Sequence, residues 1–125
     1  MKVPTARILV IDDNLAVVDI LVNVLAEEGY EVSSAVTSDE GLELFIQSRP
    51  DLVLLDIALP GMNGIEMLKR IRSIAPTARV VMVSGVDPTR AREALELGAL
   101  ACVDKPFDLA TLKAVVALVL QDKPA

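Results

Sequence analysis

Short aliphatic runs alternate five times with longer amphipathic segments along this 125-residue chain, and no other feature restricts its fold so tightly. Arg7–Ile11, Leu52–Leu55 and 79–83 read as strands, and their runs Ile8–Ile11, Leu52–Leu55 and Val80–Val83 are apolar on both faces, as strands covered from two sides must be. A weaker strand alternates over 31–36, and a short one is predicted at 101–103. Between them the apolar residues recur at helical spacing. Val18, Leu21, Val22 and Leu25 do so in 15–28, and Ile65, Leu68 and Ile71 in Gly64–Ile74. Further helices are predicted over 39–47 with Ser38 as N-cap, over 88–97, and over Leu109–Gln121. Strands separated by helices pair in parallel, because each returns through a crossover. Right-handed crossovers then give a doubly wound α/β fold, a (βα)5 three-layer sandwich on a five-stranded parallel sheet. Strand order 2-1-3-4-5 is one common solution, which pattern alone does not select.

The length suits one domain, and a chain of this size buries roughly two-thirds of its surface without disulfide or structural metal. No repeat, linker or low-complexity tract divides it. Residues 1–125 are therefore read as a single domain with a core of about 6–121 and a short polar tail, 122–125, that suits the start of a linker. Eighteen acidic against twelve basic residues give a formal net charge of −6. Direct nucleic-acid binding is disfavoured, since there is no basic surplus to release counterions and aromatics are only 2%. The same balance suits a divalent cation or a basic protein partner. The single cysteine, Cys102, builds no disulfide within the chain, so a reducing cytoplasm is the expected compartment. No secretory pattern follows Met1, and the longest apolar runs are too short to cross a bilayer.

In a parallel sheet of this type ligands bind at the carboxyl ends of the strands, where the strand order reverses. The first strand runs into Asp12-Asp13, the third into Asp56, the fourth into Ser84, and the fifth is followed by Lys105. The second ends in Val36-Thr37 and adds no charge. Singly, each has an ordinary explanation: a helix cap, a turn serine, a solvated lysine. Together they form a set. Three carboxylates crowded at one edge repel one another and call for a cation, and an all-oxygen site suits Mg²⁺. A carboxylate can also act as nucleophile toward a phosphoryl group, with a lysine and a hydroxyl assisting its oxygens.

With these residues in place, the chain resembles a response-regulator receiver domain, the phospho-accepting half of two-component signalling. The likeness runs in order through Ile8-Leu9-Val10-Ile11-Asp12-Asp13, Leu54-Leu55-Asp56 to Gly64, Val83-Ser84-Gly85, Gly98-Ala99 and Lys105-Pro106-Phe107. The resemblance implies the strand order 2-1-3-4-5 and makes Asp56 the phosphoacceptor. It implies that Asp13 ligates Mg²⁺ directly and Asp12 mainly through water, with Asp56 and the Ala58 backbone carbonyl completing the protein ligands. Ser84 would be the switch hydroxyl, Lys105 the counter-ion, and the Lys105–Pro106 bond cis. The donor would be a sensor histidine kinase or a histidine phosphotransfer protein. This chain has no histidine and cannot be its own histidine donor. The domain would catalyse only its own phosphorylation and dephosphorylation, with Ala58 and Val86 bordering the water that ends the signal.

Receivers commonly carry an aromatic three residues before the lysine; here that position is Cys102, read as a small buried hydrophobe. In the last helix Leu112, Val115, Val116 and Val119 face inward, while Ala110, Thr111, Ala114, Ala117 and Leu118 leave the other side poor in charge. The surface of the last two helices and the fifth strand is therefore expected to meet an output partner or a second copy. Three other functions compete. A haloacid-dehalogenase-type phosphatase would need an acid where Ala58 stands. A flavin-binding protein would carry Ser and Thr in place of Asp12-Asp13-Asn14. A degenerate receiver acting only as an interaction module is disfavoured by the intact acidic set.

Overall fold

The computed structural model describes residues 5–85 and 88–121; the tail 122–125 and Val86 lie outside the described residues. Five strands, β1 (Arg7–Ile11), β2 (Glu31–Ala35), β3 (Leu52–Leu55), β4 (Val80–Ser84) and β5 (Ala101–Asp104), alternate with five helices. The helices are α1 (Leu15–Glu27), α2 (Ser38–Ser48), α3 (Gly64–Ile74), α4 (Pro88–Glu96) and α5 (Leu109–Gln121). All neighbouring strands pair in parallel, in the order β2-β1-β3-β4-β5. The expected fold and order are both present.

Side-chain alternation explains why the central strands are apolar throughout. Leu9, Ile11, Val53, Leu55, Val80 and Met82 pack with Phe45 of α2, Ile65, Leu68 and Ile71 of α3, and Ala94 of α4. Ile8, Val10, Leu52, Leu54, Val81 and Val83 pack instead with Val18, Leu21 and Leu25 of α1 and Leu112 and Val116 of α5. Two cores thus sit on opposite faces of one sheet. Among the described residues no helix is long and apolar enough to cross a membrane.

The predicted boundaries need small corrections. The first helix ends at Glu27, with Glu28 as its C-cap; the fourth strand runs one residue later than expected and the fifth one residue further. The cap of α2 is Thr37, not Ser38. The Thr37 side chain accepts from the Glu40 amide at 3.1 Å, and Glu40 reaches back to the Val36 amide at 3.1 Å. This reciprocal arrangement outcompetes a cap at Ser38, which becomes the first helical residue and is buried.

Candidate functional site

The chain runs from β1 to β2 on one side and returns to β3 on the other, so the crevice between β1 and β3 is the point of order reversal. Asp12 and Asp56 stand directly beyond those two strands. Parallel register places them side by side: Ile11 pairs with Leu55, and the Asp56 amide donates to the Ile11 carbonyl at 3.0 Å. The Asp12 amide donates to Ala35 at 3.1 Å. Neither aspartate is used as a helix cap. Asn14 caps α1, accepting from Ala16 and Val17, which leaves the preceding carboxylates for other contacts.

Asp12 and Asp56 are 1% and 5% exposed, whereas Asp13 is open to solvent. One carboxylate oxygen from each of Asp12, Asp13 and Asp56 lies within 4.8 Å of the others. β5 brings Lys105 to them, its Nζ 2.6 Å from Asp12 Oδ2 and 3.3 Å from Asp56 Oδ2. The Lys105–Pro106 bond is cis, and the Lys105 amide donates to the Ser84 carbonyl at 3.1 Å. The remaining oxygens take backbone donors: Asn14 N–H to Asp12 Oδ1 at 2.9 Å, Ala58 N–H to Asp56 Oδ1 at 3.1 Å. Ala58 itself is exposed beside the cluster.

Burial pushes the Asp12 carboxyl above its ordinary value; Lys105 and the Asn14 amide oppose this, and the neighbouring Asp56 charge adds to it. For Lys105, burial acts downward, but Asp12 and then Asp56 outweigh it and hold the ammonium above its ordinary value. Ser84 ends β4, is 6% exposed, and its hydroxyl has no hydrogen-bond partner among the described residues. Such orphans are rare in folded proteins. Ser84 ends the strand next to β3, at the same edge of the sheet as Asp56. The all-oxygen donor set fits a hard divalent cation.

Every residue expected at the site from the sequence is at this edge: Asp12, Asp13, Asp56, Ala58, Ser84 and Lys105. Cys102 is only half-buried, and its Sγ donates to the Ala91 carbonyl of α4 at 3.5 Å. Burial and then the Asp104 charge push its thiol up, away from the reactive thiolate. Two supporting residues escaped the sequence reading. Asn14 is signalled only as a capping residue type before a helix. Thr37 is signalled by Thr37-Ser38-Asp39-Glu40, a capping-box spacing.

Comparison with known proteins gives a consistent result. Residues 8–117 match the family model described as the response regulator receiver domain. Sporulation initiation phosphotransferase F of Bacillus subtilis is 38% identical over 111 residues, covering 88% of this chain and 90% of that protein. The regulatory protein AtoC of Escherichia coli is 39% identical over 116 residues; the match covers 92% of this chain but only 25% of AtoC. A CheY-like receiver domain protein from Methanospirillum hungatei superposes with a TM-score of 0.91 at 33% identity, covering 95% of this chain and 96% of that one.

Proposed function

The chain belongs to the response regulator receiver domain family, the phosphoryl-accepting switches of two-component signalling, and on that premise we propose Asp56 as its phosphoacceptor. The observation that carries this assignment is the convergence of Asp12, Asp13 and Asp56 within 4.8 Å, three carboxylates that the Lys105 ammonium offsets only in part. Asp56 stands at the end of β3, beside the crevice between β1 and β3. Its Oδ1 is held by the Ala58 amide, and its Oδ2 faces Lys105.

In this reading the Asp56 carboxylate attacks phosphorus, a P–O bond forms, and the P–N bond of a partner's phosphohistidine breaks with the imidazole as leaving group. Lys105, already held against the site by Asp12, offers its charge to the phosphoryl oxygens. The Ser84 hydroxyl donates to one of those oxygens and so acquires the partner it lacks. Mg²⁺ would be held by Asp12, Asp13, Asp56 and the Ala58 carbonyl, and would supply neutralisation of the transferring group's charge. The domain catalyses only its own phosphorylation and dephosphorylation, acts in the cytoplasm, and takes its phosphoryl group from a sensor histidine kinase or phosphotransfer protein. Residues 1–125 form this one domain, whether it acts alone or as part of a longer regulator. The change is read by an output partner or a second copy on the face formed by α4, β5 and α5. Leu95, Leu100 and Leu118 are 48%, 51% and 67% exposed there, an apolar surface that a partner would cover.

Intact mass after incubation with Mg²⁺ and phosphoramidate tests the acceptor. One added phosphoryl group on the wild type, absent without Mg²⁺ and absent in Asp56→Asn, is the expected result. An adduct that persists in Asp56→Asn would overturn the assignment. Equilibrium sedimentation with and without beryllofluoride tests the face, which is abandoned if the protein is monomeric in both and a Leu118→Glu variant binds its partner as the wild type does.

A further inference from the structure

Ser38 is 3% exposed, one of four buried polar or charged residues among the described residues, and the other three are Asp12, Asp56 and Ser84. It is also the one of these that carries no role in phosphoryl transfer. A serine within a helix commonly bonds back to its own preceding turn, as Ser48 does to Leu44 and Ser73 to Arg70. Ser38 has no preceding turn. Its hydroxyl instead crosses 24 residues of sequence and donates to the backbone carbonyl of Met62.

Met62 lies in the segment 57–63 between β3 and α3, which begins beside Asp56 and contains Ala58. That segment folds back tightly. The Gly64 amide donates to the Ile57 carbonyl at 2.7 Å, and Gly64 sits so close that a Cβ there would lie 2.3 Å from the Asp56 carbonyl oxygen. The near end is therefore fixed by β3, and the start of α3 by the Asn63 cap on Glu66. The side facing α2 is fixed by Ser38. Ser38 is itself a rigid post, because the Thr37–Glu40 box on either side of it sets the first turn of α2.

We propose that Ser38 is a positioning residue for phosphoryl transfer: its hydroxyl holds the 57–63 segment through Met62, and so sets where the Ala58 carbonyl stands relative to Asp56. This rests on the reading of Ala58 as a Mg²⁺ ligand given above. It goes further in making the ligand's placement depend on a side chain of α2, which touches neither ion nor phosphoryl group. Losing the bond leaves the Met62 carbonyl short of a buried donor, and the segment gains freedom where the ligand sits.

The test compares wild type, Ser38→Ala and Ser38→Thr by amide hydrogen exchange in EDTA and by amide-shift titration with Mg²⁺ alone. In Ser38→Ala the Gly64 amide should speed up about three- to tenfold more than Val10 in β1, which reports the global loss of stability; that is the range expected for one net hydrogen bond. The Mg²⁺ dissociation constant should rise by about the same factor. Ser38→Thr, which keeps the hydroxyl, should stay within about twofold of wild type in both. If Gly64 exchange is unchanged, or rises only by the factor seen at Val10, Ser38 does not hold the segment and the proposal fails. An unchanged Mg²⁺ affinity alongside faster Gly64 exchange also overturns it. Should Ser38→Ala not fold, Ser38→Cys fills the same space with a weak donor and is read in the same way. A wild type that binds no Mg²⁺ would sink the ligand reading itself, while the metal-free exchange still decides whether Ser38 fixes the loop.

Discussion

Replacing Lys105 by methionine keeps the aliphatic stem and removes the ammonium that stands 2.6 Å from Asp12 and 3.3 Å from Asp56. Those carboxylates are 1% and 6% exposed at the side chain, so water does little to replace the lost charge. Breaking a buried pair by removing one partner costs about 3–5 kcal/mol. Lys105 is itself 23% exposed, and Asp13 opens the site to solvent, so the expected loss is the low end, about 3 kcal/mol. In a domain of this size that lowers the melting temperature by roughly 10 °C.

The pH dependence follows from the direction of each shift. The Lys105 ammonium is held above its ordinary 10.5, so its contribution is fully present at neutral pH and is lost as pH rises past that value. The Asp12 carboxyl is already above 3.8 in the wild type because of burial, and the variant removes the lysine that opposes this. A carboxyl raised in the folded state binds its proton more tightly there than in the unfolded chain. Stability is therefore regained as pH falls through the raised value toward 3.8. Urea midpoints followed by far-UV circular dichroism, in EDTA, at neutral pH and again just above pH 3.8, should show a deficit that narrows markedly in acid. A Lys105→Met protein as stable as the wild type, or one with the same deficit at both pH values, would refute this account of the pair.

Other substitutions test separate parts of the structure. Gly64→Ala places a Cβ 2.3 Å from the Asp56 carbonyl oxygen and 2.5 Å from Ile57 Cα, backbone atoms that cannot swing aside, and should cost about 3 kcal/mol in urea unfolding. Ser84→Ala removes a buried hydroxyl that has no partner among the described residues, so the metal-free protein should be as stable as wild type or up to about 1 kcal/mol more stable. The same variant should show a weaker beryllofluoride-induced amide shift along β4, and a full wild-type response would argue against its switch role. Cys102 should react with iodoacetamide several-fold more slowly in the native protein than in urea at neutral pH, since burial and Asp104 hold its thiol above 9.0. Equal native and unfolded rates would show that the site is more open than its contact with Ala91 implies.

Much of the candidate site was legible because a parallel sheet reduces the problem to reading strand ends. Arg7–Ile11 and Leu52–Leu55 are apolar at every position after the first, so the first polar residues beyond them, Asp12 and Asp56, mark the edge where ligands bind. Ser84 follows by the same rule as the last residue of β4, and Lys105 is the first basic residue after β5. The site's supporting shell was less legible. Ser38 looked like a cap because serine at a helix start usually is one, and the competing Thr37–Glu40 spacing decided otherwise. Cys102 looked like a core residue, but β5 is an edge strand with one side uncovered by further sheet, and the thiol stays half-buried.

The sequence by itself therefore determined the layers, the parallel pairing and the residue types gathered at one edge, since periodicity and strand-end position are properties of a linear chain. Tertiary structure decided what those residues do to one another. Lys105 reaches Asp12 across 93 residues and Asp56 across 49, the Ser84 hydroxyl is buried without a partner among the described residues, and Ser38 reaches Met62 rather than its own helix. Distances of a few ångströms between such remote positions depend on register, twist and loop closure acting together, and these are set only when both faces of the sheet are packed.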